Sequence, residues 1–181
     1  MKVTPTALPE VLLIEPRVFG DERGFFMESW NARAFSEAAG VDATFVQDNH
    51  SYSTRNVLRG IHYQVVRPQG KLVRVVTGAV FDVAVDLRRS SPTFGRWVGH
   101  ELSAGNKLQM WIPPGFGHGF LVLSEAADFL YKTTDYWIGQ YDRTVRWDDP
   151  VIGITWPLQG EPVLAAKDAA AATLEAVETF A

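Results

Sequence analysis

Apolar and polar residues alternate over short stretches along most of this chain, the pattern of strands with one buried face. Val80 to Leu87 shows it most clearly. Phe81, Val83, Val85 and Leu87 fall on one face, and Asp82, Ala84 and Asp86 on the other. Lys71 to Val76 precedes it, and Thr77-Gly78-Ala79 between the two runs predicts a hairpin. Trp97 to Leu102, Gln109 to Ile112, Gly119 to Leu123 and Phe129 to Thr134 are further runs bounded by Gly, Pro, Ser or Asn. Many short, closely spaced strands predict a mainly β protein, a sandwich or jelly-roll barrel.

Helical patterning is confined to two places. Asn31 to Gly40 has an N-cap residue at its start and a glycine at its end. Asp168 to Val177 is alanine-rich, so residues 168–181 are expected to form a helical tail in which Asp168 suits an N-cap.

Composition narrows the class. A chain of 181 residues with 46% hydrophobic content is expected to be one domain, 1–181, with a real core. It has no cysteine, which excludes disulfides, thiolate metal sites and cysteine nucleophiles. Met1 to Ile14 is broken by Pro5 and Pro9 and lacks the apolar stretch of a signal peptide. No run approaches transmembrane length, so a cytoplasmic protein without a membrane partner is expected. The formal net charge of −4 speaks against nucleic acid as a partner but not against a small anion held by local arginines.

The candidate chemistry centres on Arg59-Gly60-Ile61-His62-Tyr63-Gln64, followed by Gln69-Gly70-Lys71. Adjacent strands can bring the His62 imidazole and the Lys71 ammonium to one pocket. A base and a cation there suit proton abstraction next to a carbonyl, the cation steadying the enolate oxygen. A buried hydrogen-bonded histidine and a solvated lysine are the plainer alternative. In a regular strand Arg59 and His62 point to opposite faces. If both face a ligand, Gly60 marks a bulge or the strand starts after it.

Pro113-Pro114-Gly115-Phe116-Gly117-His118 has the form of the second cupin motif, and His62 stands where the first would begin. A metal-binding cupin needs a second histidine two residues after the first, where this chain has Gln64. Four beyond His118 stands Val122. Two imidazoles without further ligands are a poor site for iron, manganese or zinc, so no metal is expected.

A longer set of motifs is more specific. Phe19 to Phe26, Phe45 to Ser51, Val57 to Gln64, Gln69 to Arg74, Pro92 to Gly95, Trp111 to Phe120 and Phe129 to Lys132 together resemble the dTDP-4-dehydrorhamnose 3,5-epimerase family, from about Val11 to Ala170. The resemblance implies a cupin-type jelly roll, a dTDP-4-keto-6-deoxyhexose substrate, no redox cofactor, and a homodimer whose N-terminal segment reaches the neighbour's site. Both C3 and C5 lie alpha to the C4 ketone, and each is inverted by proton removal and return. By the same resemblance His62 is the base, Asp168 orients it, Lys71 stabilises the enolate and Tyr131 is the acid. Arg23, Arg59 and Lys167 match contacts to the nucleotide-sugar, with Arg23 suited to serving the partner subunit. Glu28, Gln47, Asp48, Asn49 and His118 match further substrate-binding positions. Asp142 stands where the family often has glutamate, and Trp137, beside Tyr136, where a ring stacks on thymine. The open alternatives are an epimerase or ketoisomerase acting at one carbon of another dTDP-keto-sugar, and a non-catalytic sugar-nucleotide-binding cupin.

Overall fold

The computed structural model describes residues 1–181. Thirteen strands account for most of the regular structure: β1 (Lys2–Pro5), β2 (Leu12–Glu15), β3 (Val18–Asp21), β4 (Gly24–Met27), β5 (Gln47–Thr54), β6 (Leu58–Gln64), β7 (Lys71–Thr77), β8 (Ala79–Asp86), β9 (Trp97–Ser103), β10 (Gln109–Ile112), β11 (Phe116–Val122), β12 (Ala126–Thr133) and β13 (Asp142–Thr144). They form a six-stranded sheet in the order β1-β2-β10-β7-β12-β5 and a five-stranded sheet in the order β13-β6-β11-β8-β9. The hairpin β3–β4 stands apart from both. No helix is long and apolar enough to cross a membrane.

The expected hairpin at Thr77-Gly78-Ala79 is not formed. β7 pairs with β10 and β12, whereas β8 pairs with β11 and β9, so the chain crosses from one sheet to the other at Gly78. Gly78 has φ +76°, and a Cβ there would lie 2.0 Å from the Ala126 carbonyl oxygen. One residue is too short to close a paired turn but suffices for an arch between facing sheets.

Three apolar clusters hold the layers. Val73, Val75, Met110 and Phe129 meet Val80, Ala84, Val98, Phe116 and Phe120 between the sheets. The Val83, Val85 and Leu87 face of β8 points the other way, onto Trp156, Ile152 and Leu174 of the C-terminal segment. Each such fully buried side chain contributes about 1.5–3 kcal/mol. The polar face of β8 therefore looks into the barrel. A third cluster seats Phe35 of α1 (Ala32–Ala39) against Leu12, Ile14, Leu72 and Trp111. This helix is capped as its sequence predicts: Asn31 Oδ1 accepts from the Ala34 amide at 3.0 Å, and Gly40 closes it with φ +66°.

The tail is not the predicted helix. α2 covers only Ala166–Ala169, its N-cap is Ala165, and Asp168 lies inside it. Beyond it, Ala172 bridges to Val145, Phe180 bridges to Arg88, and Leu174 is buried. Helix propensity is worth only tenths of a kcal/mol per residue, so burying the tail's spaced apolar residues against the five-stranded sheet overrides it.

Candidate active site

The site is built on β6, and β6 is irregular where it matters. His62 pairs with His118 and Arg59 pairs with Phe120, so Gly60 and Ile61 together oppose the single Gly119. That is a β-bulge. Gly60 has φ +116°, and a Cβ there would come within 2.6 Å of the Gly119 Cα and the His118 carbonyl oxygen. The extra residue turns Leu58, Ile61 and Tyr63 all toward the outer cluster. Arg59 and His62 both project from the opposite, inner face.

His62 Nε2 lies 2.6 Å from Asp168 Oδ1, linking β6 to α2 across 106 residues of sequence. Asp168 is 1% exposed, and its other oxygen faces the Gly60 amide at 3.4 Å. An ionised carboxylate only accepts, so Nε2 carries the hydrogen and Nδ1 keeps its lone pair. Burial holds the His62 pKa below the ordinary imidazole value, against the opposing pull of Asp168. The ring is thus neutral at pH 7 and one-quarter exposed, as a base needs.

Lys71 opens β7, and its ammonium donates to the His62 carbonyl at 3.3 Å. It is buried, which lowers its pKa to about 8, while Asp142 and Asp82 pull it back up. It remains a cation at neutral pH. Tyr131 on β12 stands across the barrel, in register with Asn49 and Val73. Burial raises its phenol pKa, with Arg59 opposing, so it stays protonated and able to donate.

The surrounding charges are ordered. Lys167 Nζ binds Asp142 Oδ2 at 2.8 Å. Arg59 Nε reaches Ser53 Oγ at 3.0 Å. His118 Nε2 contacts Asp82 Oδ2 at 2.9 Å. Asp82 is fully buried, its Oδ1 has no partner, and burial pushes its carboxyl pKa up, with His118 opposing. Gln47 donates to Asn49 Oδ1 at 2.9 Å and accepts from the Trp137 amide at 3.2 Å. Trp137 is 60% exposed. Gln64, at the position of a missing metal ligand, directs its amide to backbone: Nε2 donates to Arg67 and Tyr136 carbonyls, and Oε1 accepts from the Ile138 amide.

Three anticipated residues lie elsewhere. Asp48 alternates with Gln47 and Asn49, so it faces outward and binds Lys132 at 2.9 Å. It lines a hollow of about 310 Å³ on the outer face of the six-stranded sheet, with Trp30, His50 and Arg74. Arg23 sits at the exposed tip of β3–β4, paired with Asp21. Glu28, just beyond β4, accepts from Asn31. Within one chain neither joins the His62 group. Asp82 was not anticipated, although the alternation in β8 had already separated it from the apolar face.

The chain matches the family described as dTDP-4-dehydrorhamnose 3,5-epimerase over residues 5–176. It is 65% identical over 168 residues to the enzyme of that name from Pseudomonas aeruginosa, covering 93% of both chains. It superposes with a TM-score of 0.96 on the dTDP-6-deoxy-D-glucose-3,5-epimerase from Legionella pneumophila in complex with dTDP-4-keto-L-rhamnose, at 51% identity, covering 98% of this chain and 94% of that one. A 3'-monoepimerase from Streptomyces bikiniensis, in complex with dTDP-quinovose, shares the fold at a TM-score of 0.89 and 35% identity, covering 97% of this chain and 88% of that one.

Proposed function

The chain belongs to the dTDP-4-dehydrorhamnose 3,5-epimerase family of cupin-fold isomerases, and from that premise we propose that it inverts C3 and C5 of dTDP-4-dehydro-6-deoxy-D-glucose, giving dTDP-4-dehydro-L-rhamnose for dTDP-L-rhamnose synthesis. The observation that carries this reading is the convergence of the neutral His62, held at 2.6 Å by Asp168, with the cationic Lys71 whose ammonium reaches the His62 carbonyl.

The free Nδ1 of His62 takes the proton from the carbon alpha to the ketone. The C–H electron pair moves toward C4, and its oxygen becomes an enolate. Lys71 stabilises that charge in a water-poor site, where a fixed cation acts most strongly. Asp168 keeps the imidazole in the productive tautomer and favours the imidazolium that forms. Tyr131, protonated and on the opposing sheet, returns a proton to the other face. The same groups serve both carbons in turn. No step calls on a metal or a redox cofactor.

Arg59 and Lys167 supply cations for the diphosphate, and the planar guanidinium fork of Arg59 suits bidentate contact with phosphate oxygens. Trp137 offers an exposed ring for thymine, with Gln47, Asn49, His118 and Asp142 around the sugar. Arg23 and Glu28 act from the neighbouring subunit of a homodimer. Support comes from the β3–β4 hairpin, which leaves Phe19, Phe25 and Phe26 exposed outside both sheets, an apolar surface suited to cover by a second copy.

A single-centre epimerase is the second reading, favoured by the shared fold of the 3'-monoepimerase. The much higher identity to the Pseudomonas aeruginosa 3,5-epimerase favours the first. Solvent-deuterium exchange at C3 and C5, followed by proton NMR, tests the proposal.

A further inference from the structure

Tyr136 and Trp137 are neighbouring large aromatics that are mostly exposed, at 56% and 60%. Their rings gain little from burial, so the backbone of residues 135–138 must be fixed by other means if they are to meet a ligand in one geometry. Gln47 on β5 accepts from the Trp137 amide itself at 3.2 Å, and the flanking residues are held by hydrogen bonds from the β6–β7 side. Arg67 forms a two-pronged pair with Asp135 at 2.9 and 2.6 Å, and Gln69 donates to the Asp135 carbonyl at 2.8 Å. Both lie at the outer end, and an exposed ion pair is worth little. The inner end is held by Gln64, which is 2% exposed. Its Oε1 accepts from the Ile138 amide at 2.7 Å, and its Nε2 donates to the Tyr136 carbonyl at 3.2 Å and the Arg67 carbonyl at 2.7 Å. These bonds flank Trp137 on both sides in sequence. The indole itself leans on Gly139, where a Cβ would stand 3.1 Å from the ring.

We infer that Gln64 is the positioning residue of the nucleobase platform: its buried side-chain amide ties down the backbone on either side of Trp137 and sets the angle at which the indole meets the ring of the dTDP base. The inference rests on the reading of Trp137 as the stacking surface. It also gives a use to the position where a metal-binding cupin carries its second histidine. Both N–H donors of the amide, and one of the two acceptor positions on its oxygen, are taken by backbone. An apolar residue of the same length would leave the part-buried Ile138 amide and two carbonyls without these partners, and the loop would relax to recover them.

The test measures dTDP affinity and steady-state kinetics for Gln64→Met, Gln64→Glu, Trp137→Ala and Gln64→Met combined with Trp137→Ala. Gln64→Glu keeps the acceptor for Ile138 but opposes two carbonyls. Gln64→Met is expected to weaken dTDP binding about ten-fold, on the scale of one lost base–aromatic stack. KM should rise in step, with kcat falling by a smaller factor, and Gln64→Glu should fall between. On the Trp137→Ala background Gln64→Met should add less than two-fold, because both act through one ring. Wild-type dTDP affinity in Gln64→Met, or a full ten-fold loss added to Trp137→Ala, overturns the inference. If Gln64→Met does not fold, Gln64→Glu decides by the same comparison. Unchanged dTDP affinity in Trp137→Ala instead refutes the stacking reading itself, and the inference with it.

Discussion

Arg59 and His62 are three residues apart on one strand and yet face the same side of it. A regular strand forbids this, and the bulge at Gly60 and Ile61 opposite Gly119 permits it. Gly60→Ala is therefore expected to remove most activity. Its φ of +116° disfavours any side chain, and the added carbon meets backbone on β11. A loss of at least 100-fold in kcat/KM, with a lowered melting temperature, is the expected result. Near-normal kinetics for this variant would contradict the role given to the bulge.

His62→Ala is expected to abolish exchange at both carbons, since general-base assistance is worth roughly 100- to 10,000-fold. Asp168→Asn should leave the fold in place and cost a similar factor, because an amide can present its donor to Nε2 and hold the wrong tautomer. Tyr131→Phe should impair net inversion more than proton exchange. Stopped isotope-exchange assays on the three variants separate these roles.

The pH profile follows from two depressed pKa values. His62 sits below 6.5, so kcat/KM should fall on acidification only below that point. Lys71 sits at about 8, so activity should fall again as it loses its proton. Asp82→Asn removes one of the negative charges supporting Lys71 and should move the alkaline limb to lower pH. Stability has the opposite sign. Between about 8 and the ordinary 10.5, the unfolded chain binds a proton that folded Lys71 does not, so Lys71 makes unfolding harder as pH rises through that window. At neutral pH its buried charge costs stability, and Lys71→Met should melt higher than wild type while losing turnover. A lower melting temperature for Lys71→Met would contradict this account.

Much of this architecture can be read from the chain, and the misreadings have physical causes. Asn31 and Gly40 mark α1 because capping is local chemistry. The strand runs are legible because period-two alternation is local too. Gly78 reads as a hairpin because sequence shows a turn without showing which sheet each flanking strand joins. The alanines after Asp168 read as helix because propensity is visible and the receiving surface, built from Val83, Val85 and Trp156, is not. Asp48 matches a motif by position, but its strand's alternation turns it outward beside Lys132. The pairing of Asp82 with His118 joins residues 36 apart and needed the sheet order.

Dialysis against a strong chelator should leave turnover unchanged, because the Gln64 amide is engaged by backbone and Val122 offers no ligand. Activity lost to the chelator and restored by one divalent ion would contradict the metal-free reading.

The measurement that bears most directly on the central claim is proton NMR of dTDP-4-keto-6-deoxyglucose turned over in deuterated water by the wild-type protein and by His62→Ala. The account predicts deuterium at both C3 and C5 with wild type and at neither with the variant. Deuterium at one carbon alone would establish a single-centre epimerase, and exchange that persists in His62→Ala would show that another group is the base.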